Sequence, residues 1–366
     1  MTLLLPYEDP ARRCLKVHEW PEVDQQLWHQ ILQPGDILDG TVGSGFHWSE
    51  ATREKYRKGY GRWLTYLIIS NQFDADEGPT ERITPERVSS YMDDLNETIS
   101  SWTVWGRIAE LLAVAKAFAP DTDWSWLRRI VSYLEANGRD GRIKLPRLRP
   151  SGEIVAWAYE RMDNIVVAPP DRDPASHYRD ALMIALLITC PTMRLGNLAM
   201  IQVGKHLKSI GDGYHLRFAA DETKTRKPLL IPVMDSLAPY IKYYLDNVRP
   251  ALLQAVEWDH LWITKYGNPM KGKTIYDRIT TVTERAFGVS INPHLFRDCA
   301  VTSVAIDDPE HIGIAAPILG HTDPRTTEKH YIQANAIVAG RRLRNSIDTV
   351  RRELPPPQQR RKGTST

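Results

Sequence analysis

One stretch near the C-terminal end of the chain restricts the possible fold more than any other. It reads Asn292-Pro-His294-Leu-Phe-Arg297, then Ile318-Leu-Gly-His321, then Thr326-Thr-Glu-Lys-His-Tyr331. Pro293 is suited to the first turn of a helix, where a missing backbone N–H costs nothing. His294 and Arg297 then lie three residues apart on one helix face. Three short helical pieces are therefore expected to bring His294, Arg297, His321 and Tyr331 around one small concavity.

The side chains of this stretch suit phosphoryl transfer to a phenol. A tyrosine hydroxyl titrates near pH ~10, so Tyr331 would need help to attack at neutral pH. The planar donor fork of Arg297 matches the spread negative charge of a pentacoordinate phosphate. Histidines suit proton handling near neutral pH. Taken alone, a His-x-x-Arg motif more often forms surface ion pairs, and a tyrosine more often lies in the core. The order of these residues along the chain is therefore the stronger indication of this chemistry.

Two earlier segments supply further cations. Arg194 lies in Cys190-Pro-Thr-Met-Arg194-Leu-Gly-Asn-Leu, directly after an apolar, helix-like run at residues 181–189. Lys224 lies in Glu222-Thr-Lys224-Thr-Arg-Lys-Pro. Residues 214–218 and 228–233 alternate or run apolar in the manner of strands. The sequence therefore predicts a β-hairpin whose turn carries Lys224.

These segments, in this order, resemble the C-terminal signature of the tyrosine recombinases, the phage-integrase family. That family carries Arg, Lys, His-x-x-Arg, His or Trp, and Tyr in sequence. The positions matching this signature are Arg194, Lys224, His294, Arg297, His321 and Tyr331. The resemblance covers roughly residues 48–335 and implies that these six residues are catalytic.

The resemblance also implies a role for each residue. Tyr331 would attack a DNA phosphate and form a 3′-phosphotyrosyl enzyme with a free 5′-hydroxyl. Arg194 and Arg297 would stabilise the phosphate charge, and Lys224 would protonate the leaving 5′ oxygen. The two histidines would position groups and shuttle protons. Neither a metal nor another cofactor is expected, because the phosphotyrosine keeps the bond energy.

The chain departs from the family pattern at several positions. Thr192 stands where glycine is usual, and Asn197 stands where the family has an acid. Asparagine brings no charge, so weaker electrostatic support of Arg194 or Lys224 is expected. Asp298 replaces a frequent histidine, and the spacing from His321 to Tyr331 is ten, one longer than the commonest.

Helical periodicity in the first half and mixed patterning in the second predict a mainly α protein with a small antiparallel sheet (α+β). A helical core-binding domain is expected before the tyrosine-recombinase catalytic domain. The predicted segments are an N-terminal extension at 1–45, the core-binding, DNA-binding domain at 46–138, a basic linker at 139–152, the catalytic domain at 153–335, and a C-terminal docking helix with a basic tail at 336–366.

Composition excludes several other classes of protein. Three scattered cysteines, Cys14, Cys190 and Cys299, argue for a reducing compartment without a disulfide framework. No Cys-x-x-Cys or His-Glu-x-x-His motif indicates zinc. The N-terminal apolar run is too short for a signal peptide, and residues 181–190 make only half a membrane span. A cytosolic protein is therefore expected, and the resemblance implies that it associates with the nucleoid.

The net charge of only +2 does not by itself indicate a nucleic-acid partner. The expected DNA-contacting cations are Arg107, Arg142, Lys144, Arg147, Arg226, Lys271 and Lys273. By resemblance, the partner is a double-stranded recombination site, held as two duplexes by a homo-tetramer of a protein that is monomeric when free. An accessory directionality factor is a further expected partner.

Two other functions fit the same residues. A type IB topoisomerase shares the chemistry but religates the same strand, and it would relax supercoils without a specific site. A catalytically impaired DNA-binding member of the same fold would keep the architecture alone. The six filled positions argue against the impaired member, whereas relaxation of supercoils without a specific site would distinguish the topoisomerase from a recombinase acting in integration, excision or resolution of DNA elements.

Overall fold

The structure is a computed structural model that describes residues 9–36, 42–138, 145–169, 172–254 and 257–307, together with Ser346. The chain divides into two compact units, Met1–Ile143 and Lys144–Thr366. The described residues are mainly helical, and the second unit holds a three-stranded antiparallel sheet. The predicted fold class is confirmed. The domain limits placed from the sequence remain predictions, and the predicted C-terminal docking segment lies, apart from Ser346, outside the described residues.

The described part of the first unit contains five α-helices. They are α1 (Glu22–Ile31), α2 (Glu50–Ile69), α3 (Pro85–Thr98), α4 (Ser101–Phe118) and α5 (Ser125–Asn137). Short 3-10 turns at Pro10–Arg12 and Val17–Glu19 precede them.

Side-chain caps set the starts of α2 and α3. The Ser49 hydroxyl accepts the backbone N–H of Thr52 at 3.2 Å, and the Thr84 hydroxyl accepts that of Arg87 at 3.3 Å. Each cap satisfies a donor that the first turn of a helix leaves without a partner. Pro85 occupies the first turn of α3, where its missing backbone N–H costs no hydrogen bond.

The N-terminal segment packs into the same hydrophobic core as the four helices that follow it. Leu15, Trp20, Trp28 and Ile31 share one buried cluster with side chains of α2 to α5. The Trp20 ring lies 5.1 Å from that of Tyr60 and 5.4 Å from that of Trp28, both edge to face. Burial of such side chains contributes roughly 1.5–3 kcal/mol each, so residues 15–31 are a structural part of this unit.

A buried ion pair joins α1 to the segment before α3. Asp24 is 0% exposed and Arg82 is 1% exposed. Arg82 Nη1 donates to both carboxylate oxygens of Asp24, at 3.0 and 2.9 Å. The Tyr60 hydroxyl donates to Asp24 Oδ1 at 2.6 Å. Burial, followed by the neighbouring Asp24 charge, raises the pKa of Tyr60 well above its usual value.

Removal of one member of this pair should be strongly destabilising. Asp24→Ala should lower the free energy of unfolding by about 3–5 kcal/mol, because it leaves the Arg82 charge buried without its counter-ion. Urea unfolding of the full chain measures the effect. Asp93→Ala removes an exposed carboxylate of α3 and should change the value by no more than about 0.5 kcal/mol. Equal effects of the two substitutions would contradict the assignment.

The second unit surrounds α7 with shorter elements. Its described helices are α6 (Ser151–Val167), α7 (Pro174–Thr189), α8 (Leu195–Met200), α9 (Ala238–Tyr243), α10 (Arg249–Leu253), α11 (Gly272–Phe287) and α12 (Pro293–Asp307). A π-helical stretch, Tyr244–Val248, joins α9 to α10, and short 3-10 turns occupy Leu145–Arg147 and Asp235–Leu237.

Helix α7 is the centre of this unit. Every side chain from residue 178 to residue 188 is buried, and α6, α10, α11 and α12 all pack against the helix. Asp173 caps its start by accepting the backbone N–H of Ser176 at 3.3 Å, and Pro174 opens its first turn. A helix buried along its length has little freedom to shift, so the loop that follows Thr189 is held firmly in place.

The sheet is the predicted hairpin with one added strand. Its strands are β1 (Leu207–Ile210), β2 (Gly213–Phe218) and β3 (Leu229–Pro232), in the order β1-β2-β3. Leu216 pairs with Ile231 and Phe218 pairs with Leu229. Leu216, Phe218 and Ile231 are buried against the core of the unit. The residues between β2 and β3, 219–228, form the turn predicted to carry Lys224.

Candidate active site

Arg194 lies in the short loop between α7 and α8. It is the residue before the first turn of α8, and its side chain is half-buried. The buried neighbours Met193 and Leu198 anchor the loop on either side. The burial of α7 therefore determines where this arginine is presented.

Arg297 lies on α12 and contacts the loop that carries Arg194. It is only 5% exposed, and its Nη1 donates to the backbone carbonyl of Thr192 at 3.4 Å. Burial, followed by the nearby positive charge of Arg194, lowers the pKa of Arg297, and Asp298 opposes this effect. Two arginines are thus held close together, an arrangement in which a bound anion would relieve the repulsion.

His294 is exposed in the first turn of α12, one turn before Arg297. The helix begins at Pro293, as predicted. The side-chain oxygen of Asn292 caps it by accepting the backbone N–H groups of His294 and Leu295, at 3.1 and 3.0 Å. The cap fixes the start of the helix and hence the position at which the imidazole emerges.

Lys224 is exposed on the β2–β3 turn, and Glu222 organises that turn. The Glu222 carboxylate accepts hydrogen bonds from Lys205 Nζ at 2.7 Å, the Ala219 backbone N–H at 2.9 Å and His206 Nε2 at 3.1 Å. These contacts, with Lys205 the largest cause, lower the pKa of Glu222 to about 2. The carboxylate is therefore charged at neutral pH and holds the base of the turn.

The Asn197 side chain connects α8, which follows the arginine loop, to the lysine turn. Asn197 is 5% exposed, and its Nδ2 donates to the backbone carbonyl of Glu222 at 3.0 Å. A carboxylate in the same position would have no proton to donate and would face the carbonyl oxygen. The amide therefore gives Asn197 a positioning role that an acid could not fill in this geometry.

The described residues bring four of the six predicted catalytic positions into one unit. Arg194 and Arg297 are close, Lys224 is tied to the helix after Arg194 through Asn197, and His294 is on the helix of Arg297. His321 and Tyr331 lie outside the described residues. The catalytic roles stay predictions.

The predicted DNA-contacting cations occupy several different environments. Arg107 in the first unit donates to Glu110 at 2.8 Å, and Arg147 donates through Nε to the Ser290 carbonyl at 2.9 Å. Arg226 is exposed on the turn of Lys224 and has a positive φ of 51°. Lys271 lines an open groove with Gly196, and Lys273 pairs with Asp277 at 2.7 Å. Arg142 and Lys144 lie outside the described residues.

Two features are absent from the part of the chain that the structure describes. No group of three or more His, Cys, Asp or Glu side chains there has the arrangement needed to hold a metal ion. No helix there is long and apolar enough to cross a membrane.

Comparisons with known proteins agree with this architecture. The structure resembles the XerH site-specific recombinase bound to palindromic difH substrate, a post-cleavage complex, with a TM-score of 0.54 and 13% identity over 91% of each chain. It also resembles the Tn1549 transposon integrase in complex with transposon right end DNA, with a TM-score of 0.52 and 16% identity over 86% of this chain and 98% of that chain. At these identities the likeness is one of fold.

Comparison of sequences points in the same direction. No family model matches the chain. The tyrosine recombinase XerD of Staphylococcus saprophyticus is 25% identical over 186 residues, which are 50% of this chain and 57% of the relative. XerD of Staphylococcus aureus strain N315 is 24% identical over the same shares. The chain is thus similar in sequence to tyrosine recombinases over half of its own length. Its match spans little more than half the length of these relatives.

Sequence reasoning missed the support of the lysine turn. Glu222 lies only two residues before Lys224, yet nothing local to it indicates that Lys205 and His206 converge on its carboxylate. The expectation for Asn197 concerns only the charge that the side chain lacks and not the hydrogen bond that its amide can donate. A buried asparagine beside a predicted turn is the signal that points to such a contact.

The contact between Asn197 and the turn can be tested without DNA. Asn197→Asp should speed tryptic cleavage after Lys224 and Arg226 about fivefold or more. Loss of a buried hydrogen bond costs roughly 1–3 kcal/mol, which raises the population of the open turn. Limited digestion followed by mass spectrometry of the fragments measures the rate.

A matched control uses Asn247, whose amide also donates to a backbone carbonyl, that of Tyr243 at 3.3 Å, but on an exposed helix. Asn247→Asp should leave cleavage in the turn unchanged. Unchanged cleavage in Asn197→Asp as well would show that this amide does not hold the turn.

Proposed function

We propose that the chain is a site-specific DNA recombinase or integrase that cleaves and rejoins DNA strands through a 3′-phosphotyrosyl intermediate. The observation that carries the proposal is the close placement of Arg194 and Arg297, with Arg297 buried against the Thr192 carbonyl. Two nearby guanidinium groups match the spread charge of a phosphodiester during transfer. The proposed reaction serves integration, excision or resolution of DNA elements.

In the first step the Tyr331 oxygen forms a bond to phosphorus as the bond from phosphorus to the 5′ oxygen breaks. The phenolic proton passes to the histidines, His294 and His321, and Lys224 gives a proton to the departing 5′ oxygen. Arg194 and Arg297 stabilise the charge on the non-bridging oxygens. In the second step a 5′-hydroxyl of the partner duplex attacks phosphorus and releases Tyr331, so no external energy source is needed.

The turn geometry supports the assignment of Lys224 as the proton donor. Its side chain is exposed on a turn whose base is held by Glu222 and whose backbone is tied to α8 through Asn197. A lysine at an exposed tip can reach a ligand, while the held base limits the region it samples. The same hydrogen bond links the position of Lys224 to that of Arg194, which lies three residues before Asn197.

We propose a double-stranded recombination site as the DNA partner and a homo-tetramer on two duplexes as the working assembly. The protein would be monomeric when free, and segment 336–366 would dock on a neighbouring protomer. An accessory directionality factor would choose between integration and excision. Among the described cations, Arg226, Lys271 and Lys273 are exposed in the second unit and are assigned to phosphate contacts. This activity would place the protein on the nucleoid.

The nucleophile is tested by substitution of its hydroxyl. A target duplex is first selected by binding from a random pool, and a nicked form of it then traps the covalent adduct. Tyr331→Phe should abolish the denaturant-resistant adduct and leave binding within about tenfold, because only one hydroxyl is lost. Tyr276→Phe, which changes an exposed tyrosine of α11, should keep the adduct. An adduct that survives Tyr331→Phe would identify another nucleophile.

Plasmid assays with the same protein distinguish recombination from relaxation. Two plasmids that carry the selected site should exchange strands in the presence of the unaltered chain and fail to do so with Tyr331→Phe. Relaxation of a supercoiled plasmid that lacks the site, without exchange, would instead indicate topoisomerase activity. Site-specific binding without any adduct would indicate a catalytically impaired member of the fold.

A further inference from the structure

A second basic cluster lies in the same unit, on a different part of α7. It lines a cavity of about 250 Å³ formed by α6, α7 and α11. Its residues from α7, His177 and Asp180, are in the first half of the helix, whereas Arg194 follows the far end. From His177 to Thr189 the helix rises roughly 18 Å, at ~1.5 Å per residue. The cavity is therefore separate from the proposed strand-cleavage site.

Arginines dominate the polar side of this cavity. Arg161, Arg278 and Arg285 line it, with His177 between them. Asp180 is the carboxylate of the lining, and it is 2% exposed. Its Oδ1 accepts from Arg179 Nη2 at 2.7 Å and its Oδ2 accepts from Arg278 Nε at 3.0 Å. One carboxylate therefore serves two arginines and leaves the cluster with excess positive charge.

The remaining two arginines have no such partner. Within the described ranges, neither Arg161 nor Arg285 forms an ion pair with a carboxylate. Arg161 Nη2 instead lies 3.5 Å from His177 Nδ1. Burial, followed by the charge of Arg161, lowers the pKa of His177. Like charges brought together around a cavity without a counter-ion are destabilising, and an anion in the cavity would remove that cost.

The rest of the lining is apolar. It comprises Trp157, Val282 and Ala286, and the Trp157 ring is braced edge to face by Phe287 at 5.5 Å. An indole next to guanidinium groups suits a ligand with a planar ring at one end and a negative charge at the other. The volume is slightly below the usual range for ligand pockets, ~300–1,000 Å³, so the ligand is small.

We propose that this cavity binds a nucleoside phosphate of mononucleotide size, with the phosphate on Arg161 and Arg285 and the base against Trp157. Arg278 is held by Asp180 and closes one side. Such a ligand could be a free nucleotide or the terminal nucleotide of a DNA strand, since the two share this chemistry. The proposal does not depend on the DNA cleavage activity, because it uses none of the residues assigned to it.

Calorimetry on the full chain tests the proposal with four probes, which are adenosine monophosphate, adenosine, inorganic phosphate and a single-stranded oligonucleotide with a 5′-phosphate. The monophosphate should bind at least tenfold more tightly than adenosine or inorganic phosphate, because only it engages both the arginines and the apolar part of the lining. Stronger binding of the oligonucleotide than of the monophosphate, lost with Arg161→Met, would identify a strand end as the source, and stronger binding of the monophosphate would identify a free nucleotide.

Three variants assign the binding to this cavity. Arg161→Met should weaken binding of the monophosphate at least tenfold, and Arg285→Met, at an exposed position, gives an independent check should the first variant fold poorly. Arg217→Met removes an exposed arginine of β2 and should have no effect. The proposal is overturned if no probe binds at millimolar concentration, if inorganic phosphate binds as well as the monophosphate, or if all three variants behave alike.

Discussion

Burial of α7 on all sides is the constraint on which the second unit depends. Because its side chains from residue 178 to residue 188 are withdrawn from water, the helix serves as a fixed reference for the elements packed around it. One end of it leads into the loop of Arg194, and α12 lies against it with Arg297. Moving either arginine would require repacking this core, where changes of volume are costly.

That rigidity makes it possible to hold two like charges together. The free energy that opposes placing Arg297 beside Arg194 is offset by the packing of α7 and α12 and by the Thr192 carbonyl. The lysine is supplied differently, from an exposed turn whose base is clamped by Glu222 and linked to α8 by Asn197. The site thus combines arginines held by a rigid core with a lysine on an exposed turn. The first arrangement suits charge stabilisation, and the second suits proton donation.

Local signals in the sequence were enough for the elements of this site but not for the contacts between them. Pro293 predicted the start of α12, and the apolar runs around Lys224 predicted the hairpin, since turns and periodicity act within a few residues. The Asn197–Glu222 contact and the Asp24–Arg82 pair join residues 25 and 58 positions apart. No local pattern specifies such partners. The sequence therefore reveals that Asn197 lacks a charge but not that its amide donates a hydrogen bond to Glu222.

The central claim, that two arginines stabilise the phosphate while a separate lysine protonates the leaving group, is tested most directly by changing the leaving atom. A target duplex with sulfur in place of the bridging 5′ oxygen releases a thiolate, which needs no proton because thiols titrate near pH ~8.5. Adduct formation by Lys224→Ala should be slow on the ordinary duplex and close to the unaltered rate on the sulfur-containing one. Arg297→Ala should stay slow on both. Equal rescue of the two variants, or rescue of neither, would contradict the division of roles between the turn and the arginines.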